Sequence, residues 1–220
     1  MRKKRENDII VMNHSILNLR GGIIMKFKGS KTEENLMKAF AGESQARNRY
    51  TFYSSVAVKE GFRQIGDIFI ETANNEKEHA ERFYKLLVKH LKGEHVSSVK
   101  IEAEFPVAIG DTLANLKAAA AGENEEWSDL YPHFGLIALN EGFDEVSEAF
   151  RMITLVEKKH ELRYLKLASN VEHDKVFKKE EKVEWICLNC GYVMTDDEAP
   201  DECPSCLHKQ EYFALFKENY

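Results

Sequence analysis

The sequence predicts a mainly α protein, a four-helix bundle followed by a small metal-binding β domain. Long helical stretches with almost no Gly or Pro inside them indicate the bundle, and one helical-hairpin pattern occurs twice. The small domain is indicated by the four cysteines, which all fall between positions 187 and 206. Such clustering argues for one local metal site in a reducing compartment and against a disulfide framework. A chain of 220 residues can hold one sizeable core plus this appendage.

Charge and hydropathy exclude two classes of partner. The net charge is −6, with no large basic block beyond the N-terminus, so nucleic acid is not an expected partner. No run of about 18 apolar residues is present to span a membrane, and we expect a cytoplasmic protein. The basic N-terminus resembles a signal sequence but lacks its uninterrupted apolar stretch and cleavage site. We therefore expect residues 1–24 to be a weakly ordered extension or a mis-called start before Met25.

The first helical hairpin is predicted directly after this extension. Thr32 and the acidic residues behind it cap a helix that runs to Lys59. A second helix runs from about Arg63 to Leu91, and its inward stripe carries Glu and His where a plain core would carry Leu. The connection at 92–111 is long enough to let the chain return along the bundle.

The second hairpin comprises a helix over about 112–140 and another from about 143 to 168 or 170. Pro132 lies inside the third helix, where it removes a backbone hydrogen bond and predicts a kink. A charged segment then indicates a solvated linker or the start of an exposed strand. The resulting domain assignment is a bundle at 25–172, a linker at 173–183 and a four-cysteine domain at 184–220.

A Glu-x-x-His motif occurs at equivalent positions in both hairpins. The copies are Glu76 to His79 and Glu157 to His160, each followed by an arginine and an aromatic residue. Residues three apart project from one face of a helix, where a carboxylate and an imidazole can bind the same metal ion. A single copy would more often be a solvated surface pair, but two phased copies favour a repeated metal site.

The repeat extends to one glutamate and one tyrosine in each of the other two helices. Ala-Gly-Glu43 recurs as Ala-Gly-Glu123, and Tyr50 corresponds to Tyr131. The stretch from Glu123 to Tyr131 is one residue longer than its counterpart. A single inserted residue in a helix usually forms a π-bulge, often at a functional site, so a π-bulge is predicted there.

The pooled repeats supply four carboxylates and two imidazoles, which matches the known pattern of ferritin-like di-iron bundles. Hard oxygen ligands suit two iron ions, and two of the carboxylates can bridge them. Glu126 lies on the face of Glu123 and adds a seventh potential ligand, because its counterpart in the first hairpin is Ala46. We expect Glu126 to compete with His79 for one ion in a redox-dependent exchange, with a solvated glutamate as the alternative.

Two Cys-x-x-Cys pairs predict a second metal site near the C-terminus. Four thiolates at this spacing form a tetrahedral site for zinc or a single iron ion. The spacing alone leaves a structural zinc ribbon open. Aromatic residues around the pairs, beginning with Trp185, are expected to form a small core that the metal completes.

From about Met25 to Tyr220, these motifs in this order resemble the rubrerythrin family. The resemblance implies a non-haem di-iron peroxidase that reduces hydrogen peroxide to water in oxidative-stress defence, in anaerobic or microaerophilic cells. It implies two iron ions held by Glu43, Glu76, His79, Glu123, Glu126, Glu157 and His160. It also implies a rubredoxin-like iron site, in which zinc can substitute, at Cys187, Cys190, Cys203 and Cys206.

The resemblance and the residues together give a set of functional expectations. Electrons reach the bundle through the four-cysteine site, from a donor protein such as a rubredoxin or an NAD(P)H-dependent reductase. Because the two sites are expected to be far apart within one chain, a head-to-tail homodimer is predicted. Glu126, Tyr50 and Tyr131 are the expected catalytic residues, with each phenol donating to a ligand carboxylate or to peroxide. The alternative is a ferritin-like iron-binding or ferroxidase protein with a structural zinc-ribbon tail.

Overall fold

The structure is a computed structural model that describes residues 17–19, 22–92 and 98–218. Two short strands, Leu17–Leu19 (β1) and Gly22–Ile24 (β2), pair as an antiparallel hairpin before the bundle. The remainder of the predicted N-terminal extension lies outside the described residues.

The predicted mainly α bundle is confirmed, together with the predicted π-bulge. A π-helix at Glu126–Leu130 joins two α-helical segments end to end, so that these three segments make up the third helix of the bundle. The extra residue between Glu123 and Tyr131 is absorbed in this wider turn. The helical elements are α1 (Lys31–Lys59), α2 (Arg63–His90), α3 (Thr112–Glu125), the π-helix, α4 (Tyr131–Asn140) and α5 (Asp144–Glu172).

The start of α1 differs from the prediction. Its N-cap is Ser30, whose Oγ accepts a hydrogen bond of 3.1 Å from the backbone N–H of Glu33. Thr32, the predicted cap, lies inside the first turn and donates through both its backbone N–H and its hydroxyl to the carboxylate of Glu141.

Two later features of the bundle also bear on the predictions. At the other end of the bundle, α5 continues to Glu172, beyond the predicted stop. Pro132 is the second residue of α4, which directly follows the π-helix, so it lies inside the continuous third helix as predicted, and the kink there stays a prediction.

The two hairpins end their first helices in the same way, which confirms the internal repeat. Gly61 and Gly142 have φ values of +85° and +82°, a region that residues with a side chain rarely adopt. The residue after each glycine donates back to a helical carbonyl, Phe62 to Ala57 and Phe143 to Ala138, both at 2.8 Å. This left-handed cap stops each helix and turns the chain into the next one.

The core of the bundle consists of two apolar clusters separated by a polar layer. One cluster includes Phe83 and Phe150, and the other includes Phe69 and Tyr164. Phe69 and Phe83 belong to different clusters, and Glu76 lies between them along α2. Glu76 is therefore in the polar layer that separates the two clusters. The apolar layers therefore enclose the Glu-x-x-His residues in the middle of the bundle.

The C-terminal domain is a three-stranded antiparallel sheet in the order β4-β3-β5. Its strands are β3 (Lys178–Cys187), β4 (Val193–Glu198) and β5 (Phe213–Leu215). The first of them begins inside the segment assigned as a linker, in agreement with the exposed-strand alternative. The domain rests on the N-terminus of α2, where the guanidinium of Arg63 lies 4.2 Å from the ring of Tyr212 and donates to its hydroxyl at 3.0 Å. None of the helices in the described part of the chain is long and apolar enough to cross a bilayer.

Candidate metal centres

Four glutamates and two histidines converge in the polar layer of the bundle. Glu43, Glu76, Glu123 and Glu157 are each at most 1% exposed. Isolated ionised carboxylates cost several kcal/mol each to bury, so a cluster of four requires cations or protons to compensate it. All of these residues were predicted from the repeat.

The cluster divides into two overlapping groups that share two glutamates. Glu43, Glu76, His79 and Glu157 form one group, and Glu76, Glu123, Glu157 and His160 form the other. In each group one potential ligand atom per residue lies within 4.8 Å of the others. Glu76 and Glu157 are therefore placed to bridge two ions, with one histidine and one further glutamate completing each side.

The two imidazoles occupy equivalent positions on either side of Glu157. Nδ1 of His79 lies 2.8 Å from Oε1 of Glu157 and 3.0 Å from Oε2 of Glu76. Nδ1 of His160 lies 2.8 Å from Oε2 of Glu157 and 3.2 Å from Oε1 of Glu76. The rings stack with centroids 6.1 Å apart.

Several buried atoms of this cluster lack hydrogen bonds. Buried lone pairs without a hydrogen-bond partner are expected where side chains are placed to bind metal ions. Both oxygens of Glu157, one oxygen each of Glu43, Glu76 and Glu123, and Nδ1 of His160 have no hydrogen-bond partner among the described residues. Short contacts without hydrogen-bond geometry indicate lone pairs that face a common point rather than one another. Two divalent cations would balance the four carboxylate charges, so the donor set fits a pair of metal ions.

The pKa values of both histidines and of Glu43 in the cluster are shifted in the direction that favours added positive charge. Burial lowers the pKa of His79, but the carboxylates of Glu157 and Glu76 outweigh burial and raise it to about 10. For His160, carboxylates again overcome burial, and its pKa rises to about 12. Burial, followed by neighbouring carboxylates, raises the pKa of Glu43 well above its ordinary value. Without metal, protons on the imidazoles supply the charge that ions would otherwise bring.

Each predicted tyrosine donates to a cluster glutamate on the other hairpin. The phenol of Tyr50 donates to Oε1 of Glu123 at 2.5 Å, and that of Tyr131 donates to Oε1 of Glu43 at 2.6 Å. Both tyrosines are buried. The structure thus agrees with the predicted hydrogen bond from phenol to carboxylate.

Glu126 lies beside the cluster and belongs to neither group. Its Oε1 is 3.9 Å from the position that a Cβ on Gly42 would occupy, next in the chain to Glu43. Burial, followed by the charge of Glu123, raises the pKa of Glu126 well above its ordinary value. In this conformation His79, not Glu126, completes the group that contains Glu43.

The four cysteines form a second site at the tips of two matching loops. The Sγ atoms of Cys187 and Cys206 are 3.7 Å apart, as are those of Cys190 and Cys203, and all four thiols are free. A backbone N–H at Tyr192 lowers the pKa of Cys190 to about 7, while burial raises the pKa of Cys187 to about 11. Four converging sulfur atoms fit one tetrahedral metal ion.

A cavity beside Glu126 was not predicted from the sequence. It has a volume of about 300 Å³ and lies between α1, the π-helix and the connection that precedes α3. Its lining includes Arg49 and Phe105, neither of which belongs to a recognisable motif. Arg49 precedes Tyr50 and follows Gly42 by two helical turns. This spacing is only a weak indication that Arg49 lies near the predicted site. Phe105 lies in an irregular segment without periodicity, so no pattern indicates it.

Comparisons with known proteins identify both parts of the chain. The family model described as rubrerythrin matches residues 34–168, and the model for the rubrerythrin rubredoxin-like domain matches residues 185–214. Rubrerythrin-1 of Clostridium acetobutylicum is 57% identical over 194 residues, covering 88% of this chain and 98% of that protein.

Solved structures give the same relationship at the level of the fold. Nigerythrin in a mixed-valence state aligns with a TM-score of 0.56 and 27% identity, covering 94% of this chain and all of that one. Bacterioferritin from Desulfovibrio desulfuricans aligns with a TM-score of 0.58 and 19% identity over 66% of this chain and 82% of its own. The second likeness establishes the ferritin-like fold of the bundle.

Proposed function

Because the chain belongs to the rubrerythrin family, we propose that it is a non-haem di-iron peroxidase that reduces hydrogen peroxide to water. Electrons reach the bundle through the four-cysteine iron site. The proposed role of the reaction is defence against oxidative stress. The observation that carries the proposal is the buried cluster in which Glu76 and Glu157 are shared between two ligand groups. Glu76 and Glu157 would hold two ions close together in that arrangement, as a two-electron reduction at one place requires.

Two bundle iron ions, when bound, supply the two electrons that break the O–O bond of one hydrogen peroxide molecule. The reaction also consumes two protons and releases two water molecules. Glu126 faces the cavity and borders the cluster, so we assign it the delivery of protons. Tyr50 and Tyr131 hold Glu123 and Glu43 by hydrogen bonds and so orient the carboxylates that bind the ions.

The two metal sites of one chain lie toward different parts of the bundle. The four-cysteine domain contacts Arg63 at the beginning of α2, through Tyr212. Glu76 lies 13 residues further along that helix, which corresponds to about 20 Å at the standard helical rise. We therefore propose a head-to-tail homodimer, in which the four-cysteine domain of one subunit delivers electrons to the bundle of the other. A rubredoxin or an NAD(P)H-dependent reductase is the proposed source of those electrons.

A groove over His160, lined by charged as well as apolar residues, suits the docking of that domain. It lies between α2 and α5, and Met152 and Leu155 on its rim are 48% and 53% exposed. Each cysteine loop in turn presents an exposed leucine, Leu188 at 44% and Leu207 at 70%. Contact between these surfaces would bury apolar area on both and bring the cysteine site toward His160.

The colour of the purified protein tests the proposal against the ferroxidase alternative with a structural zinc tail. A thiolate-bound iron makes the protein red, so reductant should bleach it and hydrogen peroxide should restore the colour. A colourless protein with zinc at the four cysteines would contradict electron delivery through this site.

A further inference from the structure

The cavity beside Glu126 is several times larger than the proposed substrate needs. Its volume is about 300 Å³, whereas one water molecule occupies about 30 Å³ in the liquid and hydrogen peroxide is only slightly larger. A volume of this size is typical of pockets that bind small organic ligands. The excess space requires an explanation beyond passage of hydrogen peroxide.

The lining of the cavity combines polar and apolar groups, and it also includes four charged residues, Lys38, Glu102, Glu104 and Glu125. Glu126 and Tyr131 line the part that borders the ligand groups. Phe105, Leu130 and Phe134 supply apolar walls. Such a surface favours a molecule with a polar head and a short hydrocarbon substituent.

Gly42 lies between the two regions and keeps them connected. A Cβ built on it would stand 3.9 Å from Oε1 of Glu126 and 4.0 Å from Cε1 of Phe105. These are ordinary contact distances, so a methyl group fits, but a longer side chain would extend into the cavity. The absence of a side chain at this position leaves space for a substituent between Glu126 and Phe105.

Arg49 places a guanidinium group in the cavity wall. Its Nε donates to Oε1 of Gln45 at 2.6 Å, which orients the guanidinium. Its Nη1 is buried and has no hydrogen-bond partner within the described ranges. Because Nη1 has almost no accessible surface, a contact from Arg49 to an oxygen of a hydroperoxide or of its alcohol product would come from Nη2. This atom lies 3.8 Å from the position of a Cβ on Gly122 in the cavity lining.

We propose that this cavity binds small organic hydroperoxides, with the O–O group toward Glu126 and the hydrocarbon substituent against Phe105, Leu130 and Phe134. The inference rests on the proposed peroxidase function and extends its substrate class. One hydroperoxide accepts two electrons and two protons, its O–O bond breaks, and an alcohol and a water molecule leave. The electrons come from the same reduced centres that serve hydrogen peroxide.

The test compares tert-butyl hydroperoxide with hydrogen peroxide on the iron-loaded, full-length protein. The wild type should consume both, and the ratio of kcat/KM for the organic substrate to that for hydrogen peroxide is the readout. Gly42→Leu should lower this ratio about tenfold by filling the cavity, the discrimination that apolar pocket contacts supply. Phe105→Ala, a substitution at a partly exposed site, should lower it severalfold by removing an apolar wall. Phe52→Ala is the matched control, since Phe52 is 55% exposed and does not line the cavity.

Binding is measured separately from turnover on zinc-loaded protein, which performs no redox chemistry. Titration with tert-butyl alcohol should shift the backbone amide NMR signals of Gly42 and Gly122, and Phe105→Ala should weaken the response. Consumption of hydrogen peroxide alone, or an unchanged ratio in both cavity variants, would overturn the inference and leave the proposed function standing. Failure of the wild type to consume either substrate would overturn both.

Discussion

The phenol of Tyr131 donates a hydrogen bond of 2.6 Å to Oε1 of Glu43, across the bundle from α4 to α1. The equivalent bond from Tyr50 to Glu123 runs between the same two bundle helices in the opposite sense. Each hairpin therefore orients a carboxylate of the other. The metal cluster is assembled only when the two halves of the repeat pack together.

Tyr131→Phe should weaken metal binding by about 10- to 100-fold, because an outer hydrogen bond orients a ligand carboxylate. The loss also removes a donor that lowers the pKa of Glu43 against the effect of burial, so metal binding would compete with a more tightly held proton. A competition titration with a chelator measures the affinity. Tyr53→Phe is the control, since that buried tyrosine donates instead to the carbonyl of Ala108. Equal affinities for the two variants would contradict this role of Tyr131.

Replacement of His79 and replacement of His160 should differ in how many metal ions the bundle retains. Glu126 lies beside Gly42 and Glu43, so it is available to the group that His79 completes. We expect His79→Ala to retain two ions per bundle with affinity reduced on the order of tenfold, and His160→Ala to lose one ion. Metal analysis after dialysis against a weak chelator distinguishes them. Identical losses would refute the proposed exchange between His79 and Glu126.

Leu155→Lys should weaken the proposed dimer, because it replaces an apolar residue on the rim of the groove over His160 with a charged one. The expected result is a shift toward monomer in sedimentation velocity, with slower electron transfer from the four-cysteine site to the bundle. Leu139→Lys is a matched control, because Leu139 is likewise 53% exposed but lies on α4 outside the groove. A dimer that survives Leu155→Lys unchanged would place the interface elsewhere.

The two cysteine loops should respond oppositely to exchange of their left-handed residues. Gly191 and Leu207 follow the second cysteine of each pair, with φ values of +79° and +59°. The left-handed conformation costs residues other than glycine about 1–2 kcal/mol. Leu207→Gly should therefore stabilise the domain by about 1 kcal/mol, and Gly191→Ala should destabilise it by a similar amount. Thermal bleaching of the four-cysteine site measures both, and a lower midpoint for Leu207→Gly would contradict the strain at that residue.

The repeat made much of the site predictable, because a metal cluster imposes spacing that survives in the sequence. Glu76 and His79 must share a helix face, and their copies at Glu157 and His160 obey the same rule. The π-helix was predictable from one surplus residue before Tyr131. The identity of the bridging glutamates was not, because it depends on how the four helices are set against one another.

Features that depend on contacts with residues far away in the chain could not be predicted from the sequence. Thr32 has the chemistry of a cap, but Glu141 of the other hairpin engages it, and Ser30 takes the cap position. Phe105 lies in an irregular connection where no periodicity marks an inward side. Both depend on contacts between segments far apart in the chain.

Re-oxidation of the reduced protein by hydrogen peroxide shows whether peroxide is reduced in the bundle. Under anaerobic conditions the wild type and Glu157→Gln are reduced until the four-cysteine site is bleached, and stoichiometric hydrogen peroxide is added. Glu157 contacts both histidines and belongs to both ligand groups, whereas the cysteine site lies in a separate domain. We expect rapid return of colour with consumption of peroxide in the wild type, and a four-cysteine site that stays bleached in Glu157→Gln. Equal rates of re-colouring in the two proteins would show that peroxide is not reduced in the bundle.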